Sequence, residues 1–207
     1  AFPFSRTLRD TGGREVDARI LGKQGNELAL ERNDDGSRFI IPLERLGEED
    51  REFFASAKDG GDFETIREQV ARETRFAGRV ARWNSQLQSA LSESRKLDLP
   101  VFLLVLVNRE EKSAELEKSL LYSREFKEWA SKHLVLCCLR IDDPNSRHNA
   151  GPGAEANREA VSAYTTTYDK PSILLIHPDG RRANSFSVSS MDSPEDAIST
   201  VERVIYR

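Results

Sequence analysis

Seven apolar residues run without a break over Val101-Phe-Leu-Leu-Val-Leu-Val107, directly behind Pro100. Such a run predicts a strand covered on both faces, the kind that lies inside a mainly parallel sheet. The polar stretch Asn108-Arg-Glu-Glu-Lys-Ser113 predicts a loop, and Leu116, Leu120 and Leu121 then recur at helical spacing. A second buried strand is expected from Leu134 to Leu139, stopped at Asp142-Asp143-Pro144. A third follows Lys170-Pro171 and ends in a hairpin turn at Pro178-Asp179-Gly180, with an edge strand from Arg182 to Val188.

Helices are expected between these strands. Ser123 caps a turn carrying Phe126 and Trp129, and Ala156, Ala160, Val161 and Tyr164 mark another helix behind a long loop, Asn145 to Glu155. Ser193-Pro194-Glu195-Asp196 combines a cap, a proline at the first helical position and early acids. The helix it starts buries Ile198, Val201, Val204 and Ile205.

The amino-terminal part has a different rhythm. Val16, Ala18 and Ile20 alternate with polar residues, as do Leu28 and Leu30, and Ser37-Arg-Phe-Ile-Ile-Pro42 follows. Period two predicts half-buried strands, and Thr11-Gly12-Gly13, Lys23-Gln24-Gly25-Asn26 and Asn33-Asp34-Asp35-Gly36 supply the turns. With Leu43 to Leu46 and a short acidic helix over Glu48 to Ala55, residues 6–55 predict a small curled barrel. Lys58-Asp-Gly-Gly-Asp62 predicts a flexible break, and Phe63, Ile66 and Val70 begin a helix over 62–79. Ser85 with Gln88 fits a capping box for the next helix. The division is therefore residues 1–61, a helical linker 62–82, and residues 83–207.

Two resemblances sharpen this picture. Leu97-Asp-Leu-Pro-Val-Phe-Leu-Leu-Val-Leu-Val107, followed by Leu116-Glu-Lys-Ser-Leu-Leu-Tyr-Ser-Arg-Glu-Phe126, resembles the first strand and active-site helix of thioredoxin-fold proteins. That implies an α/β domain, a central mixed sheet flanked by helices, over about 83–207. The family carries Trp-Cys-x-x-Cys at the strand-to-helix turn. Aligned on Leu116-Glu117-Lys118, the tryptophan position is Arg109 and the cysteine positions are Glu110 and Ser113. A carboxylate and a hydroxyl cannot exchange disulfides. Pro171 stands where the family holds a cis-proline. By the same resemblance, Asn108, Glu110, Ser113, Lys170 and Pro171 outline a groove for an extended peptide, and Lys170 favours acidic segments.

Arg6-Thr-Leu-Arg-Asp-Thr-Gly-Gly-Arg-Glu-Val-Asp-Ala-Arg-Ile-Leu-Gly22 and Ile41-Pro-Leu-Glu-Arg-Leu-Gly-Glu-Glu-Asp-Arg-Glu-Phe-Phe54 are similar to the Sla-type homology domain. This is an SH3-like barrel that reads short Asn-Pro-Phe-containing peptides in cytoskeletal adaptors and recurs in bacterial exported proteins. The resemblance implies either peptide recognition or a spacer and assembly role, and a periplasmic or secreted location.

Composition narrows the chemistry. The 207 residues are 38% hydrophobic and 32% charged, enough for a sizeable core, and the net charge of −4 leaves no basic field for nucleic acid. No apolar run reaches the length of a membrane span. The opening Ala1-Phe-Pro-Phe4 shows no signal-peptide pattern, as in a mature or trimmed chain. Cys137 and Cys138 are adjacent on a predicted strand and point to opposite faces, which suits two buried apolar residues better than a bond.

His133, His148 and His177 lack ligand spacing, and no phosphate loop or nucleophile elbow is present, so neither metal nor cofactor is expected. Glu110 and Glu111 diverge as neighbours and suit a helix start better than acid–base work. Trp83 is a packing anchor or a ligand platform. The residues together favour a protein- or peptide-binding chain without a redox site. The alternative is a thiol-dependent oxidoreductase acting through Cys137 or Cys138.

Overall fold

The computed structural model describes residues 1–145 and 152–206. They fall into two compact units, Ala1–Arg75 and Phe76–Arg207.

In the first unit, β1 (Phe4–Arg9), β2 (Glu15–Gln24), β3 (Glu27–Arg32) and β4 (Arg38–Pro42) are antiparallel neighbours in chain order. A short turn and α1 (Glu48–Ala55) follow. The amide of Thr11 donates to the carbonyl of Arg45 and that of Gly47 to the carbonyl of Arg9, at 3.1 and 2.8 Å, which joins the end of β1 to the turn beyond β4. Asp50 fastens α1 to β1: its buried carboxylate accepts from the Arg6 side chain and the Arg9 amide, each at 2.8 Å.

One face of this sheet buries Leu8, Ala18, Ile20, Leu28 and Leu30 with Leu43, Leu46 and Phe54. Ala29 is buried as well, which alternation does not predict. The reason is α2 (Phe63–Arg75), whose Phe63 and Ile66 cover the opposite face of β3. Val16, expected inward, is 41% exposed. It pairs with Leu8 near the hairpin end, where no element covers it.

The expected flexible break at Lys58–Asp62 is instead held in place. Gly60–Gly61 forms β5 against β2, and Asp59 accepts from Lys23 Nζ at 2.7 Å and the Gly25 amide at 3.1 Å. Gly61 has φ of +78°, and a Cβ there would lie 2.2 Å from the Leu21 carbonyl oxygen. The sheet can approach this segment only because no side chain intervenes.

In the second unit, β6 (Trp83–Asn84), β7 (Val101–Val107), β8 (Val135–Ile141), β9 (Ser172–Ile176) and β10 (Arg182–Phe186) form one sheet in the order β10-β9-β7-β8-β6. The first three are mutually parallel through β8, β9 runs antiparallel to β7, and β10 runs antiparallel to β9. The result is a mixed sheet lying between helical layers.

Every residue of β7 is buried. Val101, Leu103, Val105 and Val107 pack with α3 (Leu87–Leu97) and with Val161 of α6 (Pro152–Val161). Phe102, Leu104 and Leu106 pack with α4 (Glu111–Leu116), α5 (Arg124–His133) and α7 (Pro194–Ile205). The two-sided cover explains the continuous apolar run.

Several local expectations shift. α4 begins inside the stretch read as a loop, and a π-helical turn, Glu117–Leu121, extends it. α2 ends at Arg75, short of residue 79. α3 is preceded by Gln86, whose side chain makes no cap, so the Ser85–Gln88 box does not form. The loop expected over Asn145–Glu155 gives way to helix from Pro152, and residues 146–151, His148 among them, lie outside the described residues. Ser123 and Ser193 do cap α5 and α7.

Gly61→Ala should destabilise the first unit by at least about 2 kcal/mol, from backbone strain plus the clash with Leu21. Urea unfolding monitored by circular dichroism will show it. An unchanged midpoint would mean that β5 yields freely.

Candidate functional site

The turn from β7 into α4 holds the positions aligned with the thioredoxin cysteines. Its first residue, Asn108, staples the ends of two strands: its amide donates to the Ile141 carbonyl at 2.9 Å and its side chain to Asp142 at 2.7 Å. Arg109 turns the chain with φ of +65°. Glu110 is the N-cap of α4. Its carboxylate accepts the amides of Lys112 at 3.0 Å and Ser113 at 2.6 Å.

Ser113 is 3% exposed, and its hydroxyl accepts the Val107 amide at 2.9 Å. The helix amides that would stabilise an anion are thus occupied by the protein's own carboxylate. Partial burial works to raise the Glu110 pKa, yet the Lys112 and Ser113 amides and the Ser113 hydroxyl hold it below the usual glutamate value. Glu111, next in sequence, is exposed and takes no part in this cap. The cap reverses the usual order, with the acid first and the hydroxyl three residues later. Glu110 and Ser113 at that spacing were the signal available in the sequence.

Val105 pairs with Ser172, so the register carried one step on brings Pro171 opposite Leu106. Asn108, Glu110, Ser113, Lys170 and Pro171 therefore gather at one end of the sheet. Pro171 is buried and Lys170 exposed. The Lys170–Pro171 bond is trans, since Phe2–Pro3 is the cis X-Pro bond found among the described residues. Trans is the default by roughly 0.5–1 kcal/mol, and a proline's position in sequence does not overcome it.

Cys137 and Cys138 face opposite layers of the second unit, Cys137 fully buried and Cys138 partly. Burial pushes the Cys137 thiol up to about 12, with Cys138 beside it adding to the rise. Burial likewise takes Cys138 to about 11, against the pull of Arg140. Both thiols are protonated at neutral pH, and the thiolate is the reactive form.

His133 is buried, with Nδ1 2.5 Å from the Tyr206 hydroxyl and its ring stacked 4.7 Å from Trp129. His177 is exposed in the β9–β10 turn. Among the described residues no group of three or more His, Cys, Asp or Glu side chains is placed to hold a metal ion. No described helix is long and apolar enough to cross a membrane. Trp83 packs between Phe102 and Phe126, each ring centroid 6.3 Å away.

The strand order and the β7–α4 turn define an α/β unit built on a five-stranded mixed sheet. No protein-family model matches the chain, and no curated protein does. Among solved structures it is similar to one titled DsbH Oxidoreductase: the two are 21% identical, with a TM-score of 0.49, over 61% of this chain and 85% of that one.

Glu110→Gln should cost about 1 kcal/mol at neutral pH, the usual value of a cap. Because the folded-state pKa is lowered, the carboxylate's contribution is complete above the ordinary glutamate value and vanishes as pH falls through the folded one. Thermal unfolding of both proteins from pH 7 down to pH 2 should show the gap closing. A gap that stays constant would show that the charge on the cap is immaterial.

Proposed function

We propose that this chain binds proteins or peptides, and that its thioredoxin-like unit works without thiol chemistry. The observation that carries the reading is the Glu110–Ser113 turn. A carboxylate and a buried hydroxyl occupy the two cysteine positions and spend their hydrogen bonds on the helix start and the Val107 amide. Such a turn has structural work and no group poised to attack.

The end of the sheet around Lys170–Pro171 remains suited to an extended peptide. Among the described residues Lys170 is exposed with no carboxylate partner, while Asn108 and Glu110 shape the neighbouring surface and Ser113 holds the turn from beneath. A peptide laid along this segment would bond to main-chain groups, and Lys170 would favour acidic residues in it. The antiparallel first unit is read as an SH3-like barrel of the Sla type, serving recognition or assembly. Its resemblance to bacterial exported proteins points to a periplasmic or secreted setting.

Insulin reduction by the whole chain with dithiothreitol should stay at the background rate, and 5,5′-dithiobis(2-nitrobenzoate) should label Cys137 and Cys138 only after unfolding. The same chain applied to an array of random fifteen-residue peptides should retain a subset of acidic ones, and Lys170→Glu should release them. Insulin turnover that disappears in the Cys137→Ser or Cys138→Ser variant, with no peptide retained, would establish the thiol-dependent alternative.

A further inference from the structure

The tyrosine hydroxyls of the second unit meet different acceptors. Tyr122 donates to the Glu117 carboxylate at 2.6 Å and Tyr164 to the Gly180 carbonyl at 2.9 Å. The Tyr122 hydroxyl, with Arg140 beside it, holds Glu117 below the usual glutamate value, which makes it a poor base. Among the described residues Tyr206 alone meets an imidazole, its hydroxyl 2.5 Å from His133 Nδ1. An imidazole ordinarily binds a proton about a hundredfold more tightly than a carboxylate does. A phenol is a stronger acid than a neutral imidazole, so Tyr206 donates and Nδ1 accepts.

The surroundings of His133 suit a positive charge. It is the last residue of α5, where the helix carbonyls carry partial negative charge. Its ring stacks on Trp129, with centroids 4.7 Å and planes 23° apart, and an aromatic face attracts a cation at that distance. The Trp129 indole N–H in turn donates to the Glu202 carboxylate at 3.1 Å, on the helix that leads to Tyr206. The imidazole is 2% exposed, whereas Trp129, Glu202 and Tyr206 are half-buried. The cluster therefore meets solvent at the phenol and the indole and keeps its base covered.

We infer that Tyr206 is the site at which this chain gives an electron to small diffusible one-electron oxidants, inorganic radicals such as the carbonate radical, with His133 accepting the phenol proton. One electron leaves Tyr206 and reduces the oxidant by one charge. The hydroxyl proton passes to His133 Nδ1, which leaves a neutral tyrosyl radical and an imidazolium. A one-electron reductant such as ascorbate restores Tyr206, and His133 returns the proton. Loss of an electron makes a phenol strongly acidic, so a base already in contact takes the proton without rearrangement. The charge it acquires lies between the end of α5 and the Trp129 ring, with Glu202 close by. Cys137 and Cys138 do not compete, since both stay protonated at neutral pH and the thiolate is the readily oxidised form. This activity is separate from peptide binding and uses none of its residues.

The test mixes the whole chain with hexachloroiridate(IV), a one-electron oxidant that loses its colour on reduction to iridium(III), and follows the colour by stopped flow. A second sample is frozen for electron paramagnetic resonance. A tyrosyl signal should form, vanish with ascorbate, be missing in Tyr206→Phe and persist in Tyr122→Phe. Tyr206→Phe and His133→Gln should each reduce the oxidant about a hundredfold more slowly, the lower range of what a positioned base contributes. The unaltered chain should react more slowly in deuterium oxide. Tyr206→Phe keeps the ring and its packing, so its circular dichroism spectrum should not change. A tyrosyl signal that survives in Tyr206→Phe, or a tryptophan or sulfur signal in its place, overturns the site. A folded His133→Gln that reacts at the full rate overturns the proton acceptor. An unchanged rate in deuterium oxide overturns it equally, and decides the point should His133→Gln fail to fold.

Discussion

A carboxylate facing two unpaired amides governs the end of the second unit's central strand. Helix starts leave their first N–H groups without partners, and something must accept from them. Left open, those groups would be available to an anion from elsewhere. Here Glu110 accepts from them, and Ser113, buried beneath, bonds back to the last residue of β7. The whole turn closes on itself, because each acceptor is satisfied within a handful of residues. The same end of the sheet then has little left with which to do chemistry, and the charges still exposed there, Arg109, Glu111 and Lys170, lie outside the cap.

The layers behind the turn explain why it is so firmly placed. β7 is enclosed on both faces, so its direction and register are dictated by contacts along its full length. Phe102 is ringed by Trp83, Phe126 and Phe186, which locks one face, while the other is sealed by α3 and α6. The adjacent cysteines on β8 are part of that enclosure. Their burial does the work of two small apolar side chains and suppresses ionisation at the same time.

The first unit is organised by different forces. Many of its ion pairs lie on the surface and add little stability. Two do more, because one partner of each is buried: Asp50 binds α1 to β1, and Lys23 reaches Asp59 beside β5. Both fasten a later segment of chain to an early strand. Other arginines line the uncovered part of the sheet, most of them paired with acids beside them.

Most of the longer strands were legible in the chain, because period two and an unbroken apolar run report directly on how many faces a strand must bury; β1 and the two-residue β6 were not read as strands. Val101–Val107, the turn at Pro178–Gly180 and the caps at Ser123 and Ser193 are of this kind, since each depends on residues a few positions apart. The absence of cysteine at positions 110 and 113 was equally plain from the resemblance. Tertiary structure alone decided that α2 covers Ala29 while Val16 stays open, that Gly60–Gly61 is a strand, and that Lys170–Pro171 is trans. Each of these depends on which distant segment arrives to cover a given face, and a linear pattern records the need for cover but not its source.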